Sequence, residues 1–167
     1  MRLLIFLIAM TANAAALAND PYAVYLVRHA EKDLSNPAEK DPQLTHCGVE
    51  RARRLAIILK DIDLQAIYST DFDRTRSTAT PTAESKKLTV RIYDADKLDD
   101  VLQQLHGAEQ DALVVGHSDT TSRLAGSLAG MDLADIDDDK YDQLYEVVSF
   151  NGHAKLQRLH QAFECAE

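Results

Sequence analysis

The stretch YAVYLVRHAEK, residues 22–32, decides how this chain is read. From Tyr22 to Val27 six aliphatic or aromatic residues follow one another without a polar break. An apolar run that short, with no alternation, is a strand covered on both faces. It stops abruptly at Arg28-His29. A second run, Ala112 to Val115, stops in the same way at Gly116-His117. Buried strands of this kind belong to parallel sheets, and in open α/β sheets ligands collect at the carboxyl ends of the strands.

Working outward, residues 31–42 are polar, carry two prolines and read as a loop. Thr45 then has the character of a helix N-cap. Behind it Ala52, Leu55, Ala56 and Leu59 form a stripe at helical spacing. Leu64 to Ser69 is a second strand. Asp71 to Ser85 is expected to be a helix interrupted or kinked near Pro81. Leu88, Val90 and Ile92 alternate in a third strand from Leu88 to Tyr93, and Leu98, Leu102 and Leu105 mark a helix. The strand at Ala112 leads into another helix with Leu124 and Leu128 on one face. Near the end, Tyr145 to Phe150 and Ala154 to Leu159 flank Asn151-Gly152, a strong hairpin signal. The expected fold is α/β, a mostly parallel central sheet flanked by helices on both faces, with the closing β-hairpin at an edge.

Composition narrows the function. The 167 residues suffice for one domain, placed at 19–167. The formal net charge of -9 repels nucleic acid and anionic lipid, so neither is an expected partner. A small anion needs a local basic pocket that overcomes this field. Residues 1–18 begin with Arg2, continue through the apolar run Leu3 to Met10 and end in Ala16-Leu17-Ala18. They read as a secretory signal peptide, too short to anchor in a bilayer, and imply a periplasmic or secreted protein. Cys47 and Cys165 then meet an oxidising compartment. They read equally as a disulfide, worth about 4–5 kcal/mol in chain entropy, or as two free thiols. Without a CxxC or Cys/His cluster no structural zinc site is expected.

Two histidines at strand ends, Arg28 beside one of them, and Arg74 just past the second strand can converge on one crevice. Guanidinium forks match phosphate oxygens and stabilise the charge that moves during phosphoryl transfer. A neutral imidazole is a nucleophile, and cationic neighbours disfavour its protonation. Such neighbours also make a poor metal site, so the histidines read as catalytic rather than ligating.

The motif VYLVRHAEK resembles the Arg-His signature of the histidine phosphatase superfamily, the phosphoglycerate mutase-like proteins. LTHCGVERARRLA is similar to its helix entry, IYSTDFDRTRSTATPTA to the segment of its second arginine, and LVVGHSDT to its second histidine. The resemblance runs from Tyr22 to about Leu128. It implies that His29 becomes phosphorylated, that Arg28, Arg74 and His117 hold the phosphoryl group, and that water completes the hydrolysis with no metal or organic cofactor needed. Asp119 is the first candidate for the general acid, although as Asp it could instead cap the next helix, and Asp94 is the second. Glu31 reads as a structural neighbour. Little chain separates Arg74 from His117, so no cap insertion is expected and the pocket is expected to be shallow. The implied substrate is a small phosphorylated molecule or an exposed phosphate on a larger one. The rival readings are a phosphohistidine phosphatase and an inactive anion-binding module.

Overall fold

The computed structural model describes residues 20–165. The signal-peptide reading of residues 1–18 therefore lies outside the described residues. Six strands form one sheet: β1 (Tyr22–Arg28), β2 (Ala66–Thr70), β3 (Val90–Tyr93), β4 (Ala112–Gly116), β5 (Gln143–Phe150) and β6 (His153–His160). Among the described residues four helices intervene: α1 (His46–Ile58), α2 (Asp73–Lys86), α3 (Leu98–Ala108) and α4 (Ser118–Ala129). The strand order is β3-β2-β4-β1-β5-β6. The first four in that order are parallel, while β5 runs antiparallel to β1 and β6 antiparallel to β5. This is the α/β architecture expected, with the hairpin at one edge. Asn151 (φ 48°) and Gly152 (φ 75°) both take the left-handed backbone that a two-residue hairpin turn requires.

Each central strand feeds two cores. On one face Ala23, Tyr25 and Val27 pack with Ile67, Leu113 and Val115 under Leu55 of α1 and Ala79 and Ala83 of α2. On the other, Val24, Leu26, Tyr68 and Val114 pack under Val101 of α3 and Leu124 and Leu128 of α4. Fully burying each such aliphatic side chain contributes roughly 1.5–3 kcal/mol. That double burial is why β1 and β4 carry no alternation in sequence.

Two elements differ from the expectation. Helix α2 runs through Pro81 without the interruption that was one of the two alternatives expected there, because Thr78, Ala79, Thr82 and Ala83 are buried on both sides of it and packing outweighs the hydrogen bond the proline cannot make. The third strand begins at Val90 rather than Leu88. Lys87 turns left-handed (φ 57°) to close α2, and the Leu88 N–H is spent on Ala83 O (3.0 Å). A disulfide joins Cys47, in the first turn of α1, to Cys165, with Cα atoms 5.6 Å apart. The second of the two cysteine readings, free thiols, is thereby excluded. No helix among the described residues is long and apolar enough to cross a membrane.

Candidate active site

β1 and β4 are hydrogen-bonded neighbours in register, Arg28 facing Gly116. Their carboxyl ends therefore finish side by side, and the His29 N–H donates to Gly116 O (2.8 Å). Gly116 permits the tight exit into α4. A Cβ there would lie 2.6 Å from Thr120 Oγ1 and 2.7 Å from the Tyr93 hydroxyl. The His117 N–H donates to Thr120 Oγ1 (2.8 Å), which fixes the chain at the helix entry. The two imidazole rings end with centroids 5.6 Å apart. On the other side of β4, β2 ends at Thr70, and Arg74 is the second residue of α2.

His29 is buried, with 2% of its surface exposed. Its Nδ1 lies 2.8 Å from Ala30 O. A carbonyl only accepts, so Nδ1 carries the proton and Nε2 presents its lone pair. Burial, then the Arg28 and Arg74 guanidinium groups and His117, hold the His29 pKa down at about 3, against the backbone hydrogen bond to Ala30. Burial, followed by Arg74, holds His117 at about 4, against the charge of Asp119. A lowered imidazole pKa means that the neutral, nucleophilic form persists into acid. If these groups govern turnover, the acid limb of kcat/KM, corrected for ionisation of the substrate, is expected below pH 5. A limb near 6.5, the value of an unperturbed histidine, would contradict this.

The arginines are held from outside the pocket. Arg28 Nη1 donates to the carbonyls of Asp137, Asp138 and Lys140 (3.0, 2.9 and 3.2 Å), and its guanidinium lies 4.5 Å from the Tyr141 ring centre. Arg74 lies 4.3 Å from the Phe72 ring centre and donates from Nη1 to Asp41 Oδ1 (3.0 Å). Phe72 also meets His117 edge-on, and Tyr141 lies against His29. Each arginine thus shares an aromatic plate with one histidine. The Nε atoms of both arginines are buried without a hydrogen-bond partner among the described residues. A buried donor left unpaired costs about 1–3 kcal/mol.

The segment after His29 is braced by α1. Arg51, almost buried, grips both carboxylate oxygens of Glu31 (2.6–2.9 Å). Gly48 lies so close beneath Glu31 that a Cβ would come within 2.2 Å of its carbonyl oxygen. Glu31 is therefore a structural neighbour, and the Ala30 N–H is held by Thr78 Oγ1 (3.0 Å). Thr70 Oγ1 stands 2.9 Å from His117 Nε2. Asp119 is not the cap of α4. That position is taken by His117, and Asp119 follows as the second residue of the helix. Its carboxylate makes no hydrogen bond or ion pair among the described residues, and its charge reaches His117. Asp94 is exposed and held below the usual carboxylate range by the Asp96 N–H and then Lys97, which makes it a poor proton donor near neutrality.

Sequence reasoning missed Asp41, Phe72, Tyr141, Thr70 and Arg51. The polar Asp41-Pro42 loop, the strand end at Thr70 and the aromatic two residues before Arg74 offered a signal. Among the described residues, no cluster of three or more His, Cys, Asp or Glu is placed to hold a metal ion.

The parallel sheet thus brings two imidazoles and two guanidinium groups to neighbouring strand ends, a set whose chemistry suits a small anion. Residues 24–100 match the family model described as histidine phosphatase superfamily (branch 1), a span that holds Arg28, His29 and Arg74. Over that span the chain is similar to the histidine phosphatase superfamily, and no cap-sized insertion separates Arg74 from His117. No curated protein sequence matches it. Solved structures share the fold. A protein of Escherichia coli described as an alpha-ribazole-5'-P phosphatase superposes with a TM-score of 0.70 at 16% identity, covering 83% of this chain and 96% of its own. The protein histidine phosphatase SixA, complexed with tungstate, gives 0.68 at 18%, covering 83% and 97%. A mycobacterial glucosyl-3-phosphoglycerate phosphatase gives 0.68 at 14%, covering 86% and 100%.

Proposed function

We propose that this protein is an exported phosphatase that hydrolyses phosphate monoesters through a phosphohistidine on His29. The observation that carries this reading is the Nδ1–H to Ala30 contact, which leaves the Nε2 lone pair of a ring influenced by the Arg28 and Arg74 charges available for attack. Nε2 attacks phosphorus in line with the ester oxygen; the N–P bond forms as the P–O bond breaks. Arg28 and Arg74 neutralise the equatorial oxygens, where stabilisation matters most, and the neutral His117 ring donates a hydrogen bond to them. Water then attacks phosphorus, the N–P bond breaks, and phosphate leaves with the imidazole regenerated. Asp119 protonates the departing ester oxygen and later takes the proton from water. A cleft of about 390 Å3, lined by Thr70, Phe72, Ile92, Tyr93, Asp94 and Asp96 among others, adjoins Thr70 and offers room for the leaving group. Export is supported by the sequence of residues 1–18 and by the disulfide, which persists in oxidising compartments.

The reading is tested by hydrolysis of p-nitrophenyl phosphate, an alkyl phosphate and a phosphohistidine peptide, each in the presence of a chelator. Monoester turnover that survives chelation supports it. Hydrolysis of the peptide alone would assign the protein to phosphohistidine instead, and hydrolysis of none would leave an anion-binding module. The same substrates examine Asp119. Nitrophenolate departs without a proton, whereas an alkoxide needs one. Asp119→Asn is expected to lose about 100-fold or more on the alkyl ester and little on the nitrophenyl ester. Equal losses on both would remove Asp119 from the role of acid.

A further inference from the structure

Asp41 lies in the loop that leaves the His29 strand end, in a segment with no helical or strand pattern. The loop is nonetheless pinned. Lys32 and Leu44 form a bridge, the Asp33 N–H donates to Gln43 O (2.8 Å), and the Asp41 N–H donates to Glu39 Oε1 (3.1 Å). From this frame both carboxylate oxygens of Asp41 reach the start of α2. Oδ1 accepts from Arg74 Nη1 (3.0 Å), and Oδ2 accepts from the Asp73 N–H (2.8 Å). Gln43 adds a second tie, donating to Asp73 Oδ2 (2.7 Å).

We propose that Asp41 is a positioning residue that sets the plane of the Arg74 guanidinium for phosphoryl transfer, an inference that rests on the phosphatase reading above. Arg74 has 9% of its surface exposed, so this is not the loose surface pair that contributes little. Phe72 supports one face of the guanidinium and Asp41 holds one corner. The planar fork then has no freedom to turn, and its unpaired Nε keeps one direction. Asp41 also places a negative charge against a cation that must sit near Arg28 and His117. Both of its oxygens already accept hydrogen bonds, so it is placed to orient rather than to donate a proton. Misplacing a group that contacts the reacting phosphoryl by about 1 Å can cost a hundredfold in rate.

A double-mutant cycle reads this directly, with inorganic phosphate as the binding probe and the melting temperature as the folding control. Asp41→Ala is expected to lower kcat/KM at least tenfold and to weaken inhibition by inorganic phosphate. In the Arg74→Ala background the same change is expected to cost less than twofold, because Asp41 acts through Arg74. Asp41→Asn keeps an acceptor for Arg74 and is expected to retain more activity than Asp41→Ala; it also serves as the reading if the alanine variant does not fold. Losses that multiply across the cycle, or an Asp41→Ala variant within twofold of wild type, overturn the proposal. Arg74→Ala with wild-type activity would overturn the phosphatase assignment of Arg74 itself, a separate and recognisable result.

Discussion

His29→Ala is expected to lower turnover by more than about 1,000-fold, a barrier increase above about 4 kcal/mol, while the melting temperature changes little. In the proposed mechanism the imidazole supplies the atom that bonds to phosphorus, and no other group among those assembled here can replace it. Arg28 and Arg74 cannot lose a proton near neutrality. His117 lies beyond the first ring, its Nε2 against Thr70 Oγ1. The fold is expected to tolerate the change because the ring makes one hydrogen bond, to its neighbour's carbonyl, and is neutral where it is buried. Turnover above about a tenth of wild type, less than about 1.4 kcal/mol of barrier, would mean that another residue is the nucleophile.

Reducing the disulfide, or replacing Cys165 by serine, is expected to cost about 4 kcal/mol and to lower the melting temperature on the order of 10 °C. The bridge closes a loop spanning 118 positions, so the unfolded chain gains much freedom when it opens. The native state loses a tether as well. Phe163, two residues before Cys165, lies against the guanidinium groups of Arg51 and Arg54, at 5.1 and 4.6 Å from its ring centre. Arg51 in turn grips Glu31, two residues past His29. A tail released from α1 is therefore expected to loosen the brace behind the nucleophile. Thermal unfolding with and without a thiol reductant measures this, and an unchanged melting temperature would reject the stabilising role.

The parts of this molecule that were legible in the sequence are those in which burial or turn chemistry leaves a local mark. Tyr22 to Val27 and Ala112 to Val115 are apolar without alternation because helices cover both faces. Thr45 accepts from the Gly48 N–H as an N-cap should, and Asn151-Gly152 supplies two left-handed residues. His29, His117, Arg28 and Arg74 were visible because each sits at or just beyond the end of such a strand. Asp41 and Tyr141 were not, because irregular loops deliver them, and which loop residue faces a guanidinium is decided by tertiary closure. The Glu31–Arg51 pair was half visible. Glu31 follows the signature, but its partner, Arg51, is one of several arginines on α1 and only packing singles it out. An interruption at Pro81 does not occur for a related reason: its local penalty is real, but buried neighbours on α2 outweigh it.

The most direct test is to capture the enzyme in mid-turnover. The protein is mixed with a monoester and a chelator, quenched in alkali, where phosphohistidine survives, and digested for mass spectrometry. The account predicts one phosphoryl group on the peptide containing His29, lost on acid treatment and missing from His29→Ala. Steady turnover with the label on another residue, or with none on any, would contradict it.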